Sequence, residues 1–498
     1  MDSRPLGVFD SGHRRHLPMR VPCIVLFGLF LATAARSQIS TNVTPSDSAY
    51  DTLERLEGWR CAFPTLRVLR PLTHADLRGA TDAGERGQCR LPEWLALERA
   101  FLMRPIQGTE VLGGPLLLHE DLTPLPGLDA AVAPLFPLRD GWLTFNGPTI
   151  YAGVMLAAGG GREKGFAISV TPAFVAGFDN YRSLMGRLVL QEGYVKAGSG
   201  YFEASLGRMA MRFGSAAHGS LILGGAAKPL DALKIALRPH AIGGLEFLGP
   251  ITLETWLSFN GESSFVDDSR FFATAFAFRP ASWFELALME IYQFGGTGAP
   301  SLGLSDYLGF LVYASDDKVS RRQRGLASHL AFWGPSRRFK LYFQTFFDSL
   351  GSFSDDMSFL VGGWLPRLGE VDLRVELVRT APNGYTHPFW RQGFSLKGTP
   401  LGHPLGPDAF GLYGDLGLPA LGGWKLSLAG ILEQRLRTPT ATRDTETRVG
   451  GGVDLHKRFD FIELTASARF HAVTNAGFVS GQNTPLAGLF GWMRYTLL

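Results

Sequence analysis

Aromatic rings and hydrogen-bond donors crowd one stretch of this 498-residue chain. Tyr385, His387, Phe389, Trp390 and Arg391 come first, and His403 and Asp408 follow in a loop rich in Gly and Pro. Aromatic faces stack on the C–H faces of sugars, and Arg or His reaches the carboxylates of an acidic glycan. Tyr385, Trp390, Arg391, His403 and Asp408 are therefore the expected polysaccharide contacts. Catalysis fits the same residues less well. His403 and Asp408 share a loop, but a Ser nucleophile would have to come from elsewhere, and no G-x-S-x-G turn is present. Loop-structuring roles for these two side chains compete with both readings.

Other chemistries are weaker still. Gly224-Gly225 and Gly159-Gly160-Gly161 lack the Lys-Ser/Thr and the strand–loop–helix setting of a phosphate cradle, and read as turns. The acidic pairs Asp267-Asp268, Asp316-Asp317 and Asp355-Asp356 read as solvated loop tips rather than calcium sites. Cys61 and Cys89 share one short segment, where a bridge competes with two buried thiols. With only His74 nearby they fall short of a tetrahedral metal set. No metal, cofactor or enzymatic activity is expected. A net charge of +3 is too small to argue for nucleic acid.

The elements around these residues are strands. In Val371–Thr380, Val371, Leu373, Val375 and Leu377 alternate with Asp372, Arg374 and Glu376. Period two puts an apolar wall on one face and an ionic wall on the other. The same alternation recurs in Ile251–Asn260, Phe339–Asp348, Trp424–Glu433 and Asp460–His471. These segments run to about ten residues, the length of a tilted strand crossing a bilayer. Charged residues make up 19% of the chain and mean hydropathy is only +0.06, too polar for a helical membrane protein. A barrel with a wet lumen predicts that balance. From residue 148 onward seventeen strands can be counted, and one more within 108–147 gives eighteen, an even number. Tight connections such as 279–282, 334–337 and 365–369 alternate with long ones: 213–231, 295–324, 381–407, 436–446 and 474–485. Trp283, Trp333, Trp364 and Trp424 beside the tight turns suit an interfacial girdle.

The N-terminus reads differently. Arg14, Arg15 and Arg20 precede an apolar run from Val21 to Ala35, with small residues after it. That is a signal peptide over 1–37 cleaved near Ser37, with Met1 or Met19 as its start. Residues 45–107 carry helical spacing at Tyr50, Leu53, Leu56 and Trp59. Thr73 with Asp76 reads as a helix start, and Pro92 opens a third helical stretch. A periplasmic helical domain at 45–107 would then precede a barrel over 108–498.

Two stretches resemble the capsule assembly Wzi family. One runs from Arg212-Phe213-Gly214-Ser215 through Ser220-Leu221-Ile222-Leu223 to Ala226-Ala227-Lys228-Pro229, with Phe213 and Ser215 where the family has Trp and Pro. The other is Tyr385-Thr386-His387 followed by 397–409, which contains Gly402-His403-Pro404-Leu405-Gly406-Pro407-Asp408. Arg70-Pro71-Leu72-Thr73 is similar to a third family element. The resemblance implies an eighteen-strand outer-membrane barrel that binds or organises capsular polysaccharide as a non-catalytic, lectin-like protein. Its expected partners are surface polysaccharide and outer-membrane lipid, with the chain as a monomer. The rival reading is a porin or specific channel whose lumen is lined by Arg374, Arg469, Lys340 and Glu376. Inward folding of loops 295–324 and 381–407 would favour the first.

Overall fold

Strand alternation closes into a ring. In the computed structural model, the strands are β1 (Gly108–Gly113), β2 (Thr149–Gly160), β3 (Lys164–Asp179), β4 (Ser183–Ser199), β5 (Phe202–Met209) and β6 (Leu230–Leu237). Next come β7 (Ile251–Ser258), β8 (Arg270–Ala281), β9 (Phe284–Phe294), β10 (Arg322–Trp333), β11 (Lys340–Asp348) and β12 (Met357–Leu368). The ring continues with β13 (Val371–Thr380), β14 (Ala409–Leu421), β15 (Trp424–Arg435), β16 (Glu446–Arg458), β17 (Ile462–Thr474) and β18 (Thr484–Leu497). Each pairs antiparallel with its neighbours, and β1 joins β18 (Thr109↔Leu497) to β2 (Gly108↔Ala157). The structure describes the chain from 48 to 497 with breaks. Residues 1–47, 82–90, 101–107, 114–122, 125–131, 134–148, 239–243, 260–265, 300–321, 349–356 and 437–444, with shorter stretches, lie outside the described residues. The expected signal peptide, Cys89 and the acidic pairs at 316–317 and 355–356 fall there.

Alternation assigns the two faces. Leu188 (80% exposed), Phe166 and Phe470 point outward, as do Leu341 and Val375. A continuous apolar belt of this kind has no use in water and fits lipid. The ionic partners point inward: Arg374, Glu376, Lys340 and Lys234 are all buried. Trp283 and Trp424 are exposed beside short turns, as a girdle requires. Trp333 and Trp364 correct that expectation. Both are buried inside the ring, with centroids 6.2 Å apart. Gly159 and Gly160 also depart from the sequence reading, since they end β2 rather than form a turn.

The N-terminal segment supplies one helix, α1 (Ser48–Gly58), and further helical backbone at 76–77, 79–81, 95–96 and 99–100. Tyr50, Leu53 and Leu56 fall on one face and bury against Leu72, Leu77 and Leu95. Thr73 and Asp76 cap reciprocally: Thr73 N–H donates to Asp76 Oδ2 at 2.8 Å, and Asp76 N–H to Thr73 Oγ1 at 3.1 Å. Cys61 is disulfide-bonded.

Candidate functional site

The lumen is filled from both ends. At the short-turn end, α1 docks by charge. Glu57 meets Arg279, and also Arg337 at 3.5 Å. Glu54 meets Lys340 at 3.0 Å, Arg55 meets Asp372 at 3.2 Å, and Asp51 meets Arg374 at 3.4 Å. Arg374 lies over the Trp364 ring at 4.6 Å, and Lys340 over Trp333 at 5.6 Å. Past α1 the chain runs up the lumen, where Leu69 and Arg70 pair as a two-residue ladder with Phe213 and Arg212.

That ladder is where the second half of the plug begins. The connection 210–229 leaves β5 and turns inward. Glu376 on β13 anchors it, accepting Ala217 N–H at 2.6 Å, His218 N–H at 3.0 Å and the Tyr342 hydroxyl. Ser220 Oγ donates to Gln344 at 2.7 Å, and Ser215 Oγ lies 3.3 Å from His329 Nε2. His218 bonds Asp415 at 2.8 Å and stacks on Tyr413 at 4.7 Å. Burial would lower the His218 pKa, but Asp415 and Glu376 outweigh it, so the ring is held above its ordinary value.

The connection 381–408 packs on top of this segment. Tyr385 OH donates to Leu221 O at 2.7 Å and accepts His403 N–H at 3.3 Å, while Gly224 N–H donates to Leu401 O at 2.7 Å. Glycine permits the approach. A Cβ on Gly224 would stand 2.2 Å from Gly402 O, and one on Gly402 would stand 2.3 Å from the Tyr385 ring.

Four of the expected polysaccharide contacts lie within this packing. Tyr385, Trp390 and His403 are almost wholly buried, and Asp408 is 8% exposed. Trp390 Nε1 donates to Gly295 O at 3.2 Å, and Tyr385 stacks on Phe346 at 5.5 Å. Asp408 takes a positive φ of 52° and its backbone ties Ala381 to Leu436. Burial pushes the Tyr385 phenol above its usual range. It lowers His403 to about 3, against the opposing pull of Glu433. In this structure these side chains build the plug. Arg391 lies outside the described residues. No cluster of metal-ligating side chains occurs among the described residues.

Sequence comparison sets this geometry beside known proteins. The family model described as capsule assembly protein Wzi matches residues 152–416. One similar structure is that of "Wzi, an outer membrane protein involved in group 1 capsule assembly in Escherichia coli", reported as "a carbohydrate binding beta-barrel". It aligns with a TM-score of 0.70 at 16% identity over 92% of this chain and 99% of that one. Pseudomonas aeruginosa OccK5 (OpdH) aligns with a TM-score of 0.47 at 10% identity, over 78% of this chain and 98% of that one. No curated protein matches the chain by sequence.

Proposed function

This chain belongs to the capsule assembly protein Wzi family, and on that premise we propose that it is a non-catalytic outer-membrane protein that holds surface polysaccharide at the cell. The observation that carries this reading is the filled lumen. A porin needs a continuous wet path, whereas here α1 closes on Arg374, Lys340 and Asp372, and Glu376 clamps the inward-folded 210–229 segment. Three of the charges that a channel would present to water are spent on the plug. The likeness to a carbohydrate-binding barrel supports glycan as the ligand.

The same reading orients the molecule. Long connections face outward from the cell and short turns face the periplasm, so 45–107 acts as a periplasmic segment that enters the ring from below. Residues 1–37 serve as its export signal, Cys61 pairs with Cys89 in that oxidising compartment, and the chain works as a monomer in outer-membrane lipid.

Planar-bilayer conductance of the purified protein, with and without the host's surface polysaccharide, tests this. The expected result is no steady conductance together with retention of the polysaccharide. Steady large conductance without retention makes the chain a channel.

A further inference from the structure

The plug does not fill the lumen evenly. It packs its apolar surface against the inward faces of β7–β13, where Trp256, Phe271, Trp333, Phe346 and Trp364 are buried. Along β14–β17 small residues recur among the charged ones that line the wall: Gly417, Ser427, Ala429, Gly451 and Ser467. A cleft of about 360 Å³ remains there between plug and wall. That lies near the lower end of the range for small-molecule pockets, about 300–1,000 Å³. Asp51 and Arg55 of α1 line one end of it, and Arg435 and Arg448, close to the long connection 436–445, line the other. Solvent reaches it, since the Asp415 and Asp454 side chains are 28% and 29% exposed.

Two buried polar atoms at this cleft have no hydrogen-bond partner among the described residues. One is Nδ1 of His471, a residue 5% exposed, and the other is Nε of Arg435, 2% exposed. Buried donors and acceptors are nearly always paired, so an unpaired one at a cavity calls for a ligand or water. The charges nearby come in opposed pairs. Arg469 meets Asp454 at 2.8 Å, His218 meets Asp415 at 2.8 Å, and Arg435 meets Glu433 at 3.0 Å. Among the described residues, five arginines and five carboxylates line the cleft.

We propose that this luminal cleft is a saccharide subsite that takes a terminal mono- or disaccharide unit of an uncharged glycan segment. The proposal rests on the carbohydrate-binding reading above. Balanced charge selects against ions: an anion or a cation meets as much repulsion as attraction here. A sugar hydroxyl does not, because it donates to a carboxylate and accepts from a guanidinium at once. Phe490, half-buried, adds ring surface for C–H faces. The α1 floor and the closed strand wall admit the end of a chain rather than a chain passing through.

Saturation-transfer NMR on the full-length protein in detergent tests the subsite, using di- and trisaccharide fragments of the host's surface polysaccharide as probes. Retention of the whole polysaccharide is measured in parallel. Ala429→Phe on β15 and Ser467→Phe on β17 fill the cleft from different strands and keep every charge in place, although each stands across the ladder from an ion-paired carboxylate, Asp415 and Asp454 respectively. Asp454→Asn alters the polar balance without adding volume, and covers the case in which a filled barrel does not fold. Fragments should bind the wild type, and each variant should weaken them by about tenfold or more. If the wild type retains the polysaccharide but the fragments do not bind, or bind all forms alike, the cleft is not the subsite and the functional reading stands. If the wild type retains neither, both fail.

Discussion

His403 shows how a side chain with the look of a ligand contact is used instead as packing. Its ring is fully buried, and its Nδ1 accepts the Leu405 N–H at 3.2 Å, which requires that nitrogen to carry no proton. Burial holds its pKa at about 3, while the unfolded residue titrates near 6.5. Between those values the unfolded state binds more protons, so stability rises with pH and is lost as pH falls from 6.5 towards 3. Thermal unfolding in detergent at pH 7 and pH 4 reads this out. The drop on acidification should shrink in His403→Asn, and an equal drop in both proteins would remove His403 as its source. Tyr385 and Trp390 carry the same lesson. A ring with a polar tip reads alike in sequence whether it stacks on a sugar or reaches Leu221 O or Gly295 O inside the fold. The distinguishing signal lay in their neighbours. Gly224 and Gly402 are small because two loops touch there, and both belong to the family-like stretches. Those stretches encode the plug.

At the scale of elements, α1 is a helix whose polar face fits a wall of opposite charges. Glu57 is fully buried and serves Arg279 and Arg337 together. Glu57→Ala takes the closest carboxylate from Arg279, 3% exposed, leaving it Ser282 O at 2.6 Å and the Glu285 carboxylate at 3.9 Å. Breaking a buried pair on one side costs about 3–5 kcal/mol, and replacing both partners costs much less. Urea unfolding of Glu57→Ala, Arg279→Met and the double variant should therefore show strong coupling, with the double variant recovering most of the loss. Simple additivity would mean that the pair is not a docking contact. The strands themselves were legible in sequence because one face meets lipid and the other does not, and that contrast writes itself into every second residue. Val371–Thr380 is found with the bounds its alternation gave, and the strand expected within 108–147 is Gly108–Gly113. What faced the ionic wall was not legible. Arg374, Lys340 and Glu376 look the same in sequence whether they meet water or a plug, and Trp333 and Trp364 look the same as girdle or as lumen packing.

For the whole molecule, the consequence is a barrel closed twice in series. The α1 segment stops the short-turn end, and the 210–229 and 381–408 connections stop the other. They share a seam at the Leu69–Phe213 ladder, and each also has its own contacts with the wall. Barriers in series are limited by the narrowest one. Deleting 48–70 alone leaves the loop plug as that barrier, and shortening 214–225 alone leaves α1. Each single change should therefore give only a small conductance, carried by the cleft along β14–β17. Making both changes should give a current well above the sum of the two, because eighteen strands enclose a wide pore once nothing fills it. Planar-bilayer recording of the three variants decides the point. A large current from either deletion alone would show that the two halves stand or fall together, with the shared ladder holding both in place.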